Sequence, residues 1–165
     1  MSAEKERLQT AQWVLERNLA WIAAAEVKVG VIVAIDTAML GGLGAVLSAA
    51  DGAARTHWAW FFTIAAVVFL GFGLLCAAMA VLPRINGPAN SLLFFGRVGA
   101  CDAVEYIDAF KKATHANLID DWAAQIHRNA QIACDKFAWV KKAMWWSFLS
   151  VLPWFAGIVT LLNKK

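Results

Sequence analysis

The chain carries little charge for its length. Only 16% of its 165 residues are Asp, Glu, Lys or Arg, whereas 61% are hydrophobic, and the mean hydropathy is +0.57. Soluble domains contain about 25% charged residues, so this composition excludes an ordinary soluble domain and favours an integral membrane protein whose main partner is the lipid bilayer. The net charge is only +3, which argues against nucleic acid as a partner.

Cysteine is scarce, and the motifs of catalysis are absent. The three cysteines are odd in number and widely spaced, which excludes a disulfide framework and a metal knuckle. The three histidines also lack the spacing of metal ligands. No phosphate-binding loop, nucleophile elbow or dinucleotide fingerprint occurs. The sequence therefore predicts a protein that is not an enzyme and that has no metal site and no cofactor.

Long apolar runs predict three membrane-spanning helices, at residues 29–49, 58–82 and 144–162. Each run is long enough to cross a hydrocarbon core of roughly 30 Å. Residues 1–22 place apolar side chains at helical spacing between charges, which predicts an N-terminal amphipathic helix. An alternative with two spans, in which residues 144–162 lie flat or re-enter the membrane, stays open.

Residues 83–142 predict a cytosolic helical segment between the second and third spans. The pattern predicts a short helix at 91–95, an amphipathic helix at 102–116, and a further helix that Asn117 caps and that runs unbroken into the last span. An apolar stripe on this last helix requires a partner helix or a neighbouring subunit. The stripe consists of Leu118, Trp122, Ile126, Asn129, Ala133, Phe137 and Val140. The whole chain is thus predicted to be a single all-α domain, with three transmembrane helices and amphipathic cytosolic helices.

The basic residues predict the orientation in the membrane. Four of them precede the first span and eight lie in residues 83–142, whereas the other side has only Arg55, Lys164 and Lys165. Because cytosolic loops carry the excess of Lys and Arg, the N-terminus is predicted to be cytosolic and the C-terminus periplasmic.

The part of the cytosolic segment from Arg84 to Tyr106 is the most suited to binding a ligand. Guanidinium groups and a helix start can hold a phosphate, and aromatic rings can stack on a base. The candidate ligand-binding residues are Arg84, Asn86, Ser91, Phe94, Phe95, Arg97 and Tyr106. The alternative is that the phenylalanines lie in the membrane interface and the arginines contact lipid phosphate.

Asp36 and Lys28 are the candidate pore or gate residues. They are eight positions apart and therefore share a face of the first span. A charge within a span must face protein or water, so Asp36 either lines a pore or is a hydrogen-bonded carboxyl inside the bundle. Lys28 can equally be an anchor at the cytosolic edge. Small residues in the first two spans permit a homo-oligomer, although packing within one subunit explains them equally well.

Four short stretches resemble the Pycsar transmembrane effector family, and the resemblance covers roughly residues 15–162. They are Ala-Glu-Val-Lys-Val-Gly at 25–30, Ser-Leu-Leu-Phe-Phe-Gly at 91–96, Glu-Tyr-Ile at 105–107 and Gln-Ile-His at 125–127. The resemblance implies a bacterial antiphage effector in the inner membrane. A pyrimidine cyclase would be its functional partner, through its product cyclic CMP or cyclic UMP. The effector would bind that nucleotide and impair the membrane, causing abortive infection.

Two other functions remain open. One is a constitutive membrane scaffold or adaptor that docks a partner protein through the stripe on its cytosolic helix. The other is an ordinary channel or transporter subunit, which the small number of polar groups in the spans disfavours.

Overall fold

The computed structural model describes residues 3–163 and is 86% helical, with no strand in that range. The prediction of an all-α fold is confirmed. The helices are α1 (Ala3–Ala49), a 3-10 turn (Gly52–Ala54), α2 (His57–Val81), α3 (Phe95–Ala100), α4 (Ala103–Lys112) and α5 (His115–Leu162). Of these, α1, α2 and α5 are long and apolar enough to cross a membrane.

Helix α1 joins two elements that the sequence pattern separates. The amphipathic stretch at 1–22, of which residues 1 and 2 lie outside the described residues, and the span at 29–49 form one helix of 47 residues. Residues 23–28 contain neither glycine nor proline and include alanine and glutamate, which favour helix, so nothing interrupts it. At 1.5 Å per residue the helix is about 70 Å long, and only about 20 of its residues can lie within hydrocarbon.

Helix α2 lies within one residue of the predicted second span at each end. Its N-cap is Thr56, whose hydroxyl accepts a hydrogen bond from the backbone N–H of Ala59 at 3.2 Å. A side-chain cap of this kind satisfies one of the unpaired N–H groups at a helix start.

The segment after α2 differs from its prediction in three places. Residues 91–94 form a turn instead of the predicted helix, because the Ser91 hydroxyl accepts the N–H groups of Leu93 and Phe94, and α3 begins only at Phe95. The predicted helix at 102–116 ends at Lys112, and α5 begins at His115. Asn117 lies inside the first turn of α5 and bonds reciprocally with Thr114, the residue before the helix. From there α5 runs unbroken to Leu162, which confirms the predicted continuity.

The chain divides into two compact units. The loop unit comprises the residues up to Ala24 with Pro83–Asp135, and the span unit comprises Ala25–Leu82 with the residues from Lys136 onward. That the whole chain is a single domain stays a prediction.

In the loop unit, the N-terminal part of α1 bonds to α5. The side chain of Asn18 is 4% exposed and donates to the carbonyl of Ile126 at 3.0 Å. Every stripe residue from Leu118 to Ala133 is buried or half-buried within the chain. The stripe therefore has its partner inside the molecule, which weakens the case for a scaffold that docks another protein there.

In the span unit, small residues bring the three long helices close together. One buried cluster contains Ala25, Val29, Ile32, Cys76, Ala77, Ala80, Val140 and Ala143. Alanine at such positions lets helix backbones approach closely. Large apolar side chains point outward instead, and Phe148 and Leu152 are 72% and 80% exposed. An apolar outer surface suits a hydrocarbon environment, because the surrounding lipid is equally apolar.

Candidate functional site

Ser91 fixes the loop that follows α2. Its hydroxyl oxygen accepts hydrogen bonds from the backbone N–H groups of Leu93 at 3.0 Å and Phe94 at 2.8 Å. The side chain of Gln125 on α5 donates to the same oxygen at 2.9 Å. Ser91 is only 3% exposed, and all three bonds use its hydroxyl oxygen as the acceptor.

Two further bonds hold Leu92 between α4 and α5. The backbone N–H of Leu92 donates to Oδ2 of Asp121 at 2.7 Å, and the hydroxyl of Tyr106 donates to the Leu92 carbonyl at 3.1 Å. The other carboxylate oxygen of Asp121, Oδ1, is buried and has no hydrogen-bond partner among residues 3–163. A buried acceptor left in this way is costly, by about 1–3 kcal/mol.

A cavity of about 500 Å³ lies between this loop, α4 and the first turns of α5. We call it the loop cavity. Its volume falls within the range of about 300–1,000 Å³ that is typical of small-molecule sites. It is lined by Pro88, Asn90, Ser91, Leu92, Ala109, Lys112, Ala113, Asn117, Asp120, Asp121 and Ala124. The lining thus combines one cation, two carboxylates and two amides with a few apolar groups.

Of the seven candidate ligand-binding residues, only Ser91 lines the loop cavity. Tyr106 is not part of the lining, but its hydroxyl donates a hydrogen bond to the carbonyl of Leu92, which is. The backbone carbonyl of Asn86 accepts from Nε of Arg128 at 2.7 Å. Phe94 is packed against Gly87 and Gly96, where a Cβ atom would lie 2.6 and 2.7 Å from its ring, so these two glycines leave the room that the ring occupies.

The remaining three candidates lie apart from the cavity lining. Arg84 has Nε 3.8 Å from a carboxylate oxygen of Asp135, and its buried Nη1 has no hydrogen-bond partner among residues 3–163. Arg97 lies 4.0 Å from a Glu105 oxygen, and Phe95 is 69% exposed. Binding of a ligand by these seven residues stays a prediction.

Most of the polar residues that line the loop cavity are not among the candidates predicted from the sequence. The sequence pattern gives Asn117 only as a helix cap, and it does not single out Lys112, Asp120 or Asp121. A usable signal was present in the sequence. Lys112 ends α4 eight residues before Asp120, which lies in the second turn of α5, and the short break between the two helices brings their residues together.

The span unit contains a buried polar cluster centred on Asp36. Asp36 is 0% exposed, and its Oδ2 accepts a hydrogen bond from the Ser147 hydroxyl of α5 at 2.8 Å. Its Oδ1 has no partner among the described residues. Gly73 of α2 faces the pair closely, since a Cβ atom there would lie 2.7 Å from Oδ2 and 3.0 Å from the Ser147 Oγ. We call these three residues the Asp36 cluster.

Asp36 and Lys28 line the same groove of about 500 Å³ in the span unit, among apolar side chains of α1 and α5. The predicted shared face is therefore found. Lys28 is exposed, and its ammonium lies 5.1 Å from the centre of the Phe137 ring. Whether either residue lines a pore or forms a gate stays a prediction.

Lys136 is a buried lysine that sequence reasoning missed. Its Nζ lies 3.0 Å from Oε1 of Glu26 on α1 and donates to the carbonyl of Ala80 on α2 at 2.9 Å, so it connects three helices. The signal was its position on the apolar stripe, three residues after Ala133 and four before Val140.

Within residues 3–163 no group of three or more His, Cys, Asp or Glu side chains could hold a metal ion.

Comparison with known proteins gives one family. A model described as "Pycsar effector protein domain" matches residues 10–163. The Pycsar effector protein PtPycTM of Propioniciclava tarda is 28% identical over 169 residues, covering 97% of this chain and 79% of its own length. No solved structure matches the chain significantly.

Proposed function

Because the chain belongs to the Pycsar transmembrane effector family of antiphage defence, we propose that it binds cyclic CMP or cyclic UMP and then impairs the inner membrane. The observation that carries this proposal is the loop cavity, a small-molecule-sized space with polar lining that lies in the segment between the second and third spans. Infection would raise the nucleotide through a partner cyclase. Impairment of the membrane would then stop growth, which is abortive infection.

A ligand can shift the protein between two packings only if it binds one of them more tightly. Helix α5 supports such coupling, because it carries cavity residues such as Asn117 and Asp120 and also Ser147 of the Asp36 cluster. A change in the angle or position of α5 at the cavity would therefore alter the contacts of Ser147. In this mechanism the Asp36 cluster keeps the resting helices together, and its disruption permits a leak.

The proposal includes an orientation and an assembly. The N-terminus and the loop unit would lie in the cytosol, where the cyclase product is made, and the C-terminus in the periplasm. The leak would form in a homo-oligomer, since three helices from one subunit leave little room for a pore.

Leakage from liposomes tests the function directly. Vesicles containing the purified protein are loaded with a fluorescent dye and titrated with cyclic CMP, cyclic UMP, cyclic AMP and cyclic GMP. We expect dye release with one or both cyclic pyrimidines and none with the purines. Absence of release with every nucleotide, when the inserted protein keeps its helical circular dichroism, would contradict the proposal.

Substitution of Asp36 by asparagine separates sensing from leakage. Asn preserves the size of the side chain and can still accept the bond from Ser147, but it removes the ionisable carboxyl group inside the span. We expect Asp36→Asn to bind the nucleotide with unchanged affinity and to leak at an altered rate. Asp108→Asn, on the exposed face of α4, serves as the control and should change neither quantity. If Asp36→Asn and Asp108→Asn leak at the same rate, Asp36 is not part of the gate.

A further inference from the structure

We propose that the loop cavity is the binding site for the cyclic nucleotide, with Lys112 at the cyclic phosphate and the carboxylates of Asp120 and Asp121 facing the hydrogen-bond donors of the ribose and base. This inference rests on the proposed function and goes beyond it by moving the site away from the arginines of the 84–106 stretch. It is carried by the juxtaposition of one lysine, two amides and two carboxylates around a single cavity.

Lys112 is the only basic residue in the described lining of the cavity. It ends α4, where its charge also complements the C-terminal end of the helix dipole. Its side chain is exposed and is free of any ion pair among residues 3–163, so its ammonium can turn to an incoming phosphate without breaking a bond. The neighbouring Lys111 has the same charge and exposure but does not line the cavity.

The charges in the lining favour a ligand with one negative charge over a ligand with two. A cyclic phosphate is a diester and carries one charge, which Lys112 can balance. A linear nucleoside monophosphate carries about −1.5 to −2 near neutral pH, and its second charge would meet Asp120 and Asp121. Like charges at close range are repulsive, so these carboxylates should disfavour linear nucleotides. In contrast, they accept hydrogen bonds from the 2′-hydroxyl of a ribose and from the N–H groups of a pyrimidine.

Asp121 also explains how binding of the ligand could change the packing of the loop unit. Its Oδ2 is held by the N–H of Leu92, while Oδ1 is buried and unpaired within the described residues. Because Oδ1 is buried, a ligand donor can reach it only if the residues that cover it move. Binding would therefore stabilise a different packing around Asp121, which is the differential affinity that a sensor requires.

Isothermal titration of the full chain in zwitterionic micelles tests the site. The ligands are cyclic CMP, cyclic UMP and linear CMP, and the variants are Lys112→Met and Asp120→Asn. We expect Lys112→Met to weaken cyclic pyrimidine binding at least about tenfold. For Asp120→Asn we expect the difference in affinity between cyclic CMP and linear CMP to become smaller. A purely structural defect would not produce this change.

Matched controls lie on the same helix. Lys111→Met removes the same charge, and Asp108→Asn removes a carboxylate, both outside the cavity lining. Neither should change the dissociation constant or the preference for the cyclic form. If Lys111→Met weakens binding as much as Lys112→Met, the effect is general electrostatic attraction and the site is wrong.

Two outcomes separate the site from the function. If the wild-type protein binds a cyclic pyrimidine, Lys112→Met binds it equally well and Arg97→Ala loses it, then the function stands and the site lies at the arginines of the 84–106 stretch. If the wild-type protein, with its helices intact, binds no cyclic pyrimidine, then the proposed function itself is overturned.

Discussion

We expect the substitution Gly73→Ala to destabilise the span unit and to make vesicles leak without any nucleotide. The new methyl carbon would lie 2.7 Å from Oδ2 of Asp36, closer than real contacts allow, and 3.0 Å from the hydroxyl oxygen of Ser147. Because the Asp36 side chain is short and fully buried, it cannot move aside without breaking its bond to Ser147.

Opposing effects determine how much Gly73→Ala changes the free energy of unfolding. Alanine is favoured over glycine inside a helix by about 1 kcal/mol. Overpacking costs about 1–3 kcal/mol, and a broken buried hydrogen bond costs a similar amount. The penalties outweigh the gain, so we expect a net loss of about 1–3 kcal/mol, measured by thermal or denaturant unfolding in micelles.

Gly71→Ala is the matched control, two residues away on the same helix. A methyl group there would meet no described atom within 4 Å outside its own helix backbone. It should therefore leave the stability unchanged or slightly raised, and the vesicles tight. Equal stability and equal leakage for the two variants would show that the Asp36 cluster does not keep the resting helices together.

The spans were predictable because their signal is local. An uninterrupted apolar run such as that of α2 requires no knowledge of its partners, and its bounds come out within one residue. The errors occur where a single side chain decides the outcome. The Ser91 hydroxyl takes the N–H groups of Leu93 and Phe94, which replaces a predicted helix by a turn. The hydrophobic pattern of the sequence does not show when a side chain will compete with the helix for backbone N–H groups.

The candidate site was less predictable, because it depends on contacts between distant residues. Three of the four stretches that carry the family resemblance meet in the loop unit, where Gln125 bonds to Ser91 and Tyr106 bonds to Leu92. Arginines and aromatic residues attract attention as phosphate and base ligands. In the structure, however, Phe94 is packed between glycines, and the cavity is lined by Lys112 and the start of α5. The type of residue is visible in a sequence, whereas its accessibility is not.

We expect Lys136→Met to be the second strongly destabilising change. Methionine matches the length of the lysine stem and keeps its packing, but it removes the donor to the Ala80 carbonyl. That carbonyl belongs to the last turn of α2, where no N–H of the same helix can replace the lost bond. A buried acceptor without a partner costs about 1–3 kcal/mol, and we expect a loss of stability of this size by unfolding in micelles.

A double-mutant cycle with Glu26→Gln identifies which contact of Lys136 matters. The Glu26 side chain is 50% exposed, so water can hydrate it once its partner is gone, and an ion pair of this kind contributes little. Glu26→Gln alone should therefore have a small effect, and the double variant should resemble Lys136→Met. Lys141→Met, an exposed lysine on the same helix, should leave stability unchanged. If the two single variants instead destabilise equally and the double variant adds nothing, the ion pair, not the carbonyl of α2, is what ties Lys136 to the other helices.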